Sequence, residues 1–142
     1  MNDSGFWIEE NVLSGRECDS LAEALSPSPS GRRRAGARNL MSHPRVAEVA
    51  HDYRLLRVAR RALGEGAVPY RATIFEKSRR ANWMVAWHQD TALPLTARFD
   101  SPGWGPWSEK AGVLYAHAPA WALSRVLALR VHLDASTAEN GP

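Results

Sequence analysis

Residues 82–94 read "NWMVAWHQDTALP". On an extended chain, residues two apart share a face and lie about 6–7 Å from each other. Trp83, Val85 and Trp87 therefore fall on one side, and Asn82, Met84, Ala86, His88 and Asp90 on the other. The pattern predicts a strand over Asn82–Asp90. One face is bulky and anchored; the other is open and ends in an imidazole and a carboxylate.

Working outward, Val68, Tyr70, Ala72 and Ile74 alternate with Pro69, Arg71, Thr73 and Phe75, which predicts a preceding strand. Downstream, Thr91 to Ser124 is rich in Pro, Gly and Trp ("SPGWGPW", 101–107) and reads as a long irregular loop, of the kind that covers a site. "RVLALRVHLD", Arg125–Asp134, predicts a last strand. Toward the N-terminus the period changes to that of a helix. Ser14-Gly15-Arg16-Glu17 is a capping box ahead of an apolar stripe at Cys18, Leu21, Ala22 and Leu25, and Pro27 and Pro29 stop it. A second helical zone opens at Ser42 with Pro44 in its first turn, and Val46, Val49, Ala50 and Tyr53 form its stripe. Leu55, Leu56, Ala59, Ala62 and Leu63 continue that stripe, with Asp52 as the N-cap of a restarted helix and Gly64 and Gly66 at its end.

Helices over 1–66 followed by strands and a long loop over 67–142 predict an α+β domain with a sandwich or barrel-like β part. Only three or four strands are in view, too few to close either architecture. The single domain expected over 1–142 is therefore expected to be incomplete.

Composition sets the class. The 142 residues suit one domain, and 44% hydrophobic with 23% charged residues is ordinary for a soluble globular chain. The lone Cys18 excludes an internal disulfide and a cysteine zinc site. With no basic-then-apolar leader and no apolar run near 18 residues, a cytoplasmic protein without a membrane partner is expected. The net charge of +3 comes from 16 Arg and 2 Lys against 15 acids, which suits either an anionic partner, such as nucleic acid or a CoA thioester, or simply a solvated surface. The densest run, Arg32-Arg33-Arg34, lies in the Pro/Ser/Gly-rich stretch Ser26–Gly36 without interleaved aromatics, which counts against nucleic acid.

His88 and Asp90, on one face of a rigid element, are two-thirds of a 2-His-1-carboxylate triad, the arrangement that holds Fe(II) and leaves positions open. The spacing alone is a weak signal, since His132-Leu133-Asp134 repeats it. Context separates the two. His88 precedes the long loop, whereas Asp134 leads into Ala-Ser-Thr, where a carboxylate commonly accepts turn amides.

Four stretches carry a resemblance: "WHQD" at 87–90, "GPWSEKAGV" at 105–113, "LALRVHLDASTAENGP" at 127–142 and "GFWIEENVLSGRECDSL" at 5–21. Together they resemble the phytanoyl-CoA dioxygenase family, iron(II)- and 2-oxoglutarate-dependent oxygenases with a double-stranded β-helix (jelly-roll, cupin-like) core. The resemblance implies His88 and Asp90 as iron ligands, 2-oxoglutarate as co-substrate and a small-molecule substrate. It places Trp107 beside 2-oxoglutarate, with Asn82 and Tyr70, and Arg130 and His132 from the last strand, as pocket-lining candidates. Met84 stands where the family often has a basic residue.

In that family the segment after "NGP" brings the distal iron histidine and the basic residue that pairs with the far carboxylate of 2-oxoglutarate. Of His43, His51, His117 and His132, none stands in the distal position. The chain is thus expected to be an N-terminal portion that binds Fe(II) weakly and turns over no 2-oxoglutarate. Two other readings stand beside it. One is a non-catalytic remnant, or an anion- or nucleic-acid-binding module using its arginines. The other is a metal-dependent cupin-like protein that makes no use of 2-oxoglutarate.

Overall fold

The computed structural model describes residues 5–26, 36–76 and 90–137. Within them lie four α-helices, a three-stranded antiparallel sheet and a two-residue antiparallel bridge. The chain divides into two compact units, Met1–Met84 with Leu129–Pro142, and Val85–Ala128.

The first unit is helical because its caps and stripes are local and strong. Helix α1, Gly15–Leu25, starts at the expected capping box: the Ser14 hydroxyl accepts from the Glu17 N–H at 3.3 Å, and the Glu17 carboxylate accepts from the Ser14 N–H at 2.7 Å. Its stripe buries Leu21 and Leu25, each 5% exposed. Helix α2, Pro44–Ala50, has its proline at the first position, where no N–H is needed. Helix α3, Tyr53–Leu63, restarts at Asp52, whose carboxylate accepts from the Arg54 N–H at 2.8 Å, and ends at Gly64 with φ +95°. Val58 is its buried residue. Strands β1 (Gly36–Ala37) and β2 (Ile74–Phe75) pair antiparallel, Gly36 with Phe75 and Ala37 with Ile74. The Cys18 thiol donates to the His132 carbonyl at 3.8 Å.

The second unit is a sheet. Strands β3 (Ala92–Leu95), β4 (Trp107–Lys110) and β5 (Val113–His117) lie in the order β3-β5-β4, all antiparallel. Pro94 falls on edge strand β3, where a missing N–H is tolerated. Lys110 pairs with Val113, so Ala111 and Gly112 alone make the β4–β5 turn, with φ of +51° and +74°. Two left-handed residues in succession give the turn whose twist matches a hairpin. Leu93, Ala116 and Trp107 lie opposite one another across the three strands. Ala116, wholly buried, gives the two larger neighbours room on that face. Helix α4, Ala120–Leu123, follows and buries Ala122.

Three sequence expectations change. Residues 91–124 are not an irregular loop but hold the whole three-stranded sheet and α4. Their Pro, Gly and Trp content serves an edge strand, a two-residue turn and aromatic packing. Of the strand expected over Val68–Phe75, only Ile74–Phe75 is paired, opposite a two-residue partner. Arg125–Asp134 forms no strand. Alternation marks a face, but a strand also needs a neighbour, and no described residue pairs with this segment. Leu129 (40%) and Val131 (36%) stay exposed there, so the alternation buries no face. The strand expected over Asn82–Asp90 lies outside the described residues apart from Asp90, as does the Arg32-Arg33-Arg34 run.

Candidate functional site

Asp90 and Trp107 both belong to the sheet unit. Asp90 is exposed and stands two residues ahead of β3. Its neighbour Thr91 is tied to the far end of β5 at two points. The Thr91 carbonyl accepts from the Ala118 N–H at 2.9 Å, and the Thr91 hydroxyl lies 2.7 Å from His117 Nδ1. The backbone that carries Asp90 is thereby held against β5, and His117 keeps Nε2 outside that bond. Trp107 sits on β4, the opposite edge of the sheet.

Around Trp107 the aromatic residues form a chain of edge-to-face contacts. Phe99 meets Trp107 at 5.3 Å and 86°, and Trp104 at 5.0 Å and 75°. Trp104 in turn meets Trp121 at 6.1 Å and 73°. Edge-to-face pairing sets the positive ring edge on the negative face and favours these angles. The Arg98 guanidinium lies 5.8 Å from the centre of the Trp107 ring, in cation–π reach.

The other site expectations fall elsewhere. His88 and Asn82, with Met84, lie outside the described residues. Tyr70 and Arg130 belong to the helical unit, both exposed, on segments without strand pairing. Among the histidines considered as a third ligand, His132 is exposed. His51 Nδ1 lies 2.8 Å from the Ala47 carbonyl and must carry the proton to donate to it. His43 Nδ1 is buried without a hydrogen-bond partner among the described residues. His117 is engaged by Thr91. Among the described residues no three His, Cys, Asp or Glu side chains cluster as a metal centre.

The perturbed acids belong to the scaffold of the helical unit. Hydrogen bonds from Arg54, then from Ser14, hold the Glu17 carboxyl at about 2. Asp52 is lowered chiefly by its side-chain bonds to Arg54, and Arg54 is raised by Asp52 and then Glu17. Arg54 donates to Glu17 Oε1 at 2.6 Å and Oε2 at 3.2 Å, and to Asp52 Oδ1 and Oδ2 at 2.9 and 2.8 Å. This knot ties the start of α1 to the start of α3.

A depression of about 480 Å³ lies along α3, lined by Tyr53, Arg57, Arg60, Arg61 and Glu65. It is the natural place to look for anion binding. Arg61, however, pairs with Glu9, and Arg60 faces Glu65 at 3.9 Å. Two of its three arginines are therefore already answered. Among the described residues no helix is long and apolar enough to cross a membrane.

Sequence reasoning missed Arg98, Phe99 and Trp121 as parts of one surface, and the Thr91–His117 bond. "SPGWGPW" read as part of a covering loop, and nothing local announced the packing partners of its tryptophans. No protein-family model matches this chain, and no curated protein or solved structure is similar enough to count as a match.

Proposed function

We propose that the chain carries the metal-binding end of an Fe(II)- and 2-oxoglutarate-dependent dioxygenase of the phytanoyl-CoA dioxygenase type, on a double-stranded β-helix core, acting on a small-molecule substrate. The observation behind this reading is that Asp90, last residue of the sequence motif His88-Gln89-Asp90, is an exposed residue two positions ahead of the edge strand of an antiparallel sheet.

The donor chemistry fits. A carboxylate oxygen and an imidazole nitrogen are the ligand types that suit ferrous iron and leave positions open. His88 and Asp90 would hold the metal. Iron with 2-oxoglutarate supplies the oxidising chemistry for hydroxylating an unactivated C–H bond. The chain's own residues orient and shield. Thr91, bonded to His117 and Ala118, fixes the backbone beside Asp90. Trp107, packed by Phe99, offers an apolar wall from which water is displaced.

Anaerobic Fe(II) titration tests the reading. Asp90→Ala and His88→Ala are each expected to weaken binding by at least about 10–100-fold, the range that outer-shell losses already produce. Binding that neither substitution alters would overturn it.

A further inference from the structure

We propose that the aromatic face of the sheet unit binds an organic monocarboxylate, with Arg98 taking the carboxylate and the rings of Phe99, Trp104 and Trp121 taking its apolar body. The proposal supplies a substrate class for the oxygenase reading, and rests on that reading only for calling the acid a substrate.

Arg98 is the cation suited to this. It is exposed, and among the described residues it makes no ion pair or hydrogen bond; it lies in cation–π reach of the Trp107 ring. The five N–H donors of a guanidinium lie in its plane, pointing outward, and a carboxylate meets that edge with two parallel bonds. Arg54 is the contrast, because Glu17 and Asp52 already fill its fork.

The apolar part of the ligand has a continuous track beside that cation. Phe99 touches both Trp107 and Trp104, and Trp104 touches Trp121. Phe99 is 43% and Trp121 61% exposed, so the track keeps open apolar surface that a ligand would cover. The acids at the Arg98 end favour a ligand with one carboxylate. Asp100 follows Phe99 directly, and Glu109 shares the strand face of Trp107. A second carboxylate close to Arg98 would meet those acids.

The test uses the full chain, stripped of metal with EDTA, titrated calorimetrically with octanoate and separately with 2-oxoglutarate. Octanoate is expected to bind, and more tightly than 2-oxoglutarate. Arg98→Gln is expected to weaken octanoate about tenfold or more, the loss typical of a hydrogen bond to a charged group. Because Arg98 is exposed and bonds no other described residue, this variant is expected to melt with the wild type. Absent octanoate binding, equal binding by Arg98→Gln, or tighter binding of 2-oxoglutarate overturns the proposal. Iron takes no part in the measurement, so this proposal and the Fe(II) reading fail separately.

Discussion

Two arginines divide the molecule. In the helical unit, Arg54 spends its donors on Glu17 and Asp52 and acts as a structural clamp between helix starts. In the sheet unit, Arg98 lies in cation–π reach of Trp107 and makes no ion pair or hydrogen bond among the described residues. The same side chain is closed in one place and open in the other. The difference follows from what each unit uses for cohesion. The helical unit joins two helix starts with charge and buries Leu21 and Leu25 of α1. The sheet unit is held by ring edges, a buried alanine and a two-residue turn, which leaves its nearby cation unclaimed.

That contrast can be broken first at Ala116, where the largest effect is expected. The residue has no exposed surface and sits between Leu93 and Trp107 on one face of the sheet. Ala116→Leu overfills that position and is expected to destabilise by about 1–3 kcal/mol. Urea unfolding followed by tryptophan fluorescence reads it, since Trp104, Trp107 and Trp121 all report on this unit. A change within experimental error would mean that the sheet face is looser than its burial implies.

A smaller effect is expected at the β4–β5 turn. Gly112 has φ +74° with open space where a Cβ would stand, so only backbone strain opposes a side chain. Gly112→Ala is expected to cost about 1 kcal/mol, the penalty of the left-handed region for an L-residue. Ala111 already occupies that region at φ +51°, which shows that the hairpin tolerates one such penalty. An unchanged unfolding midpoint would indicate that the turn relaxes to another type.

How much of this was legible in the sequence follows the range of the forces. The starts of α1 and α3 were legible because Ser14, Glu17 and Asp52 act on amides two or three residues away. The sheet was not, because its register joins Leu93 to Ala116 and Ala116 to Trp107, and no local pattern encodes those pairings. "EKAGVL" does contain the turn signal, but Ala at the first left-handed position disguises it where Asn or Asp would announce it. The segment 125–134 failed in the other direction, since alternation without a partner strand gives no ladder. For the candidate site, the sequence offered Asp90 and Trp107 as expectations, and the structure places both in the sheet unit. The approach of Arg98 to Trp107 depends on a turn of chain between them, which the sequence shows only as Pro and Gly.

The smallest effect at neutral pH, and the most informative about the comparison, is expected at Arg54. Its partners are partly solvent-exposed, and such pairs contribute little at ordinary pH. Their signature is instead in the pH dependence. The Glu17 carboxyl is held at about 2 against an ordinary 4.5, and Asp52 is also lowered. A carboxyl with a depressed folded value favours the folded chain fully above its unfolded value, and that contribution is lost as pH falls through the window from 4.5 to about 2. Wild type and Arg54→Met should therefore differ in Tm at pH 6, with the variant lower, and converge as the pH drops across that window. Carboxyl NMR titration supplies the direct check: the Glu17 midpoint should rise toward its ordinary value in Arg54→Met, though not fully, because the Ser14 bonds persist. Arg98→Gln, measured in parallel, should track the wild type at every pH, because Arg98 holds no carboxylate among the described residues. Identical pH profiles for wild type and Arg54→Met would remove the distinction between a closed arginine and an open one.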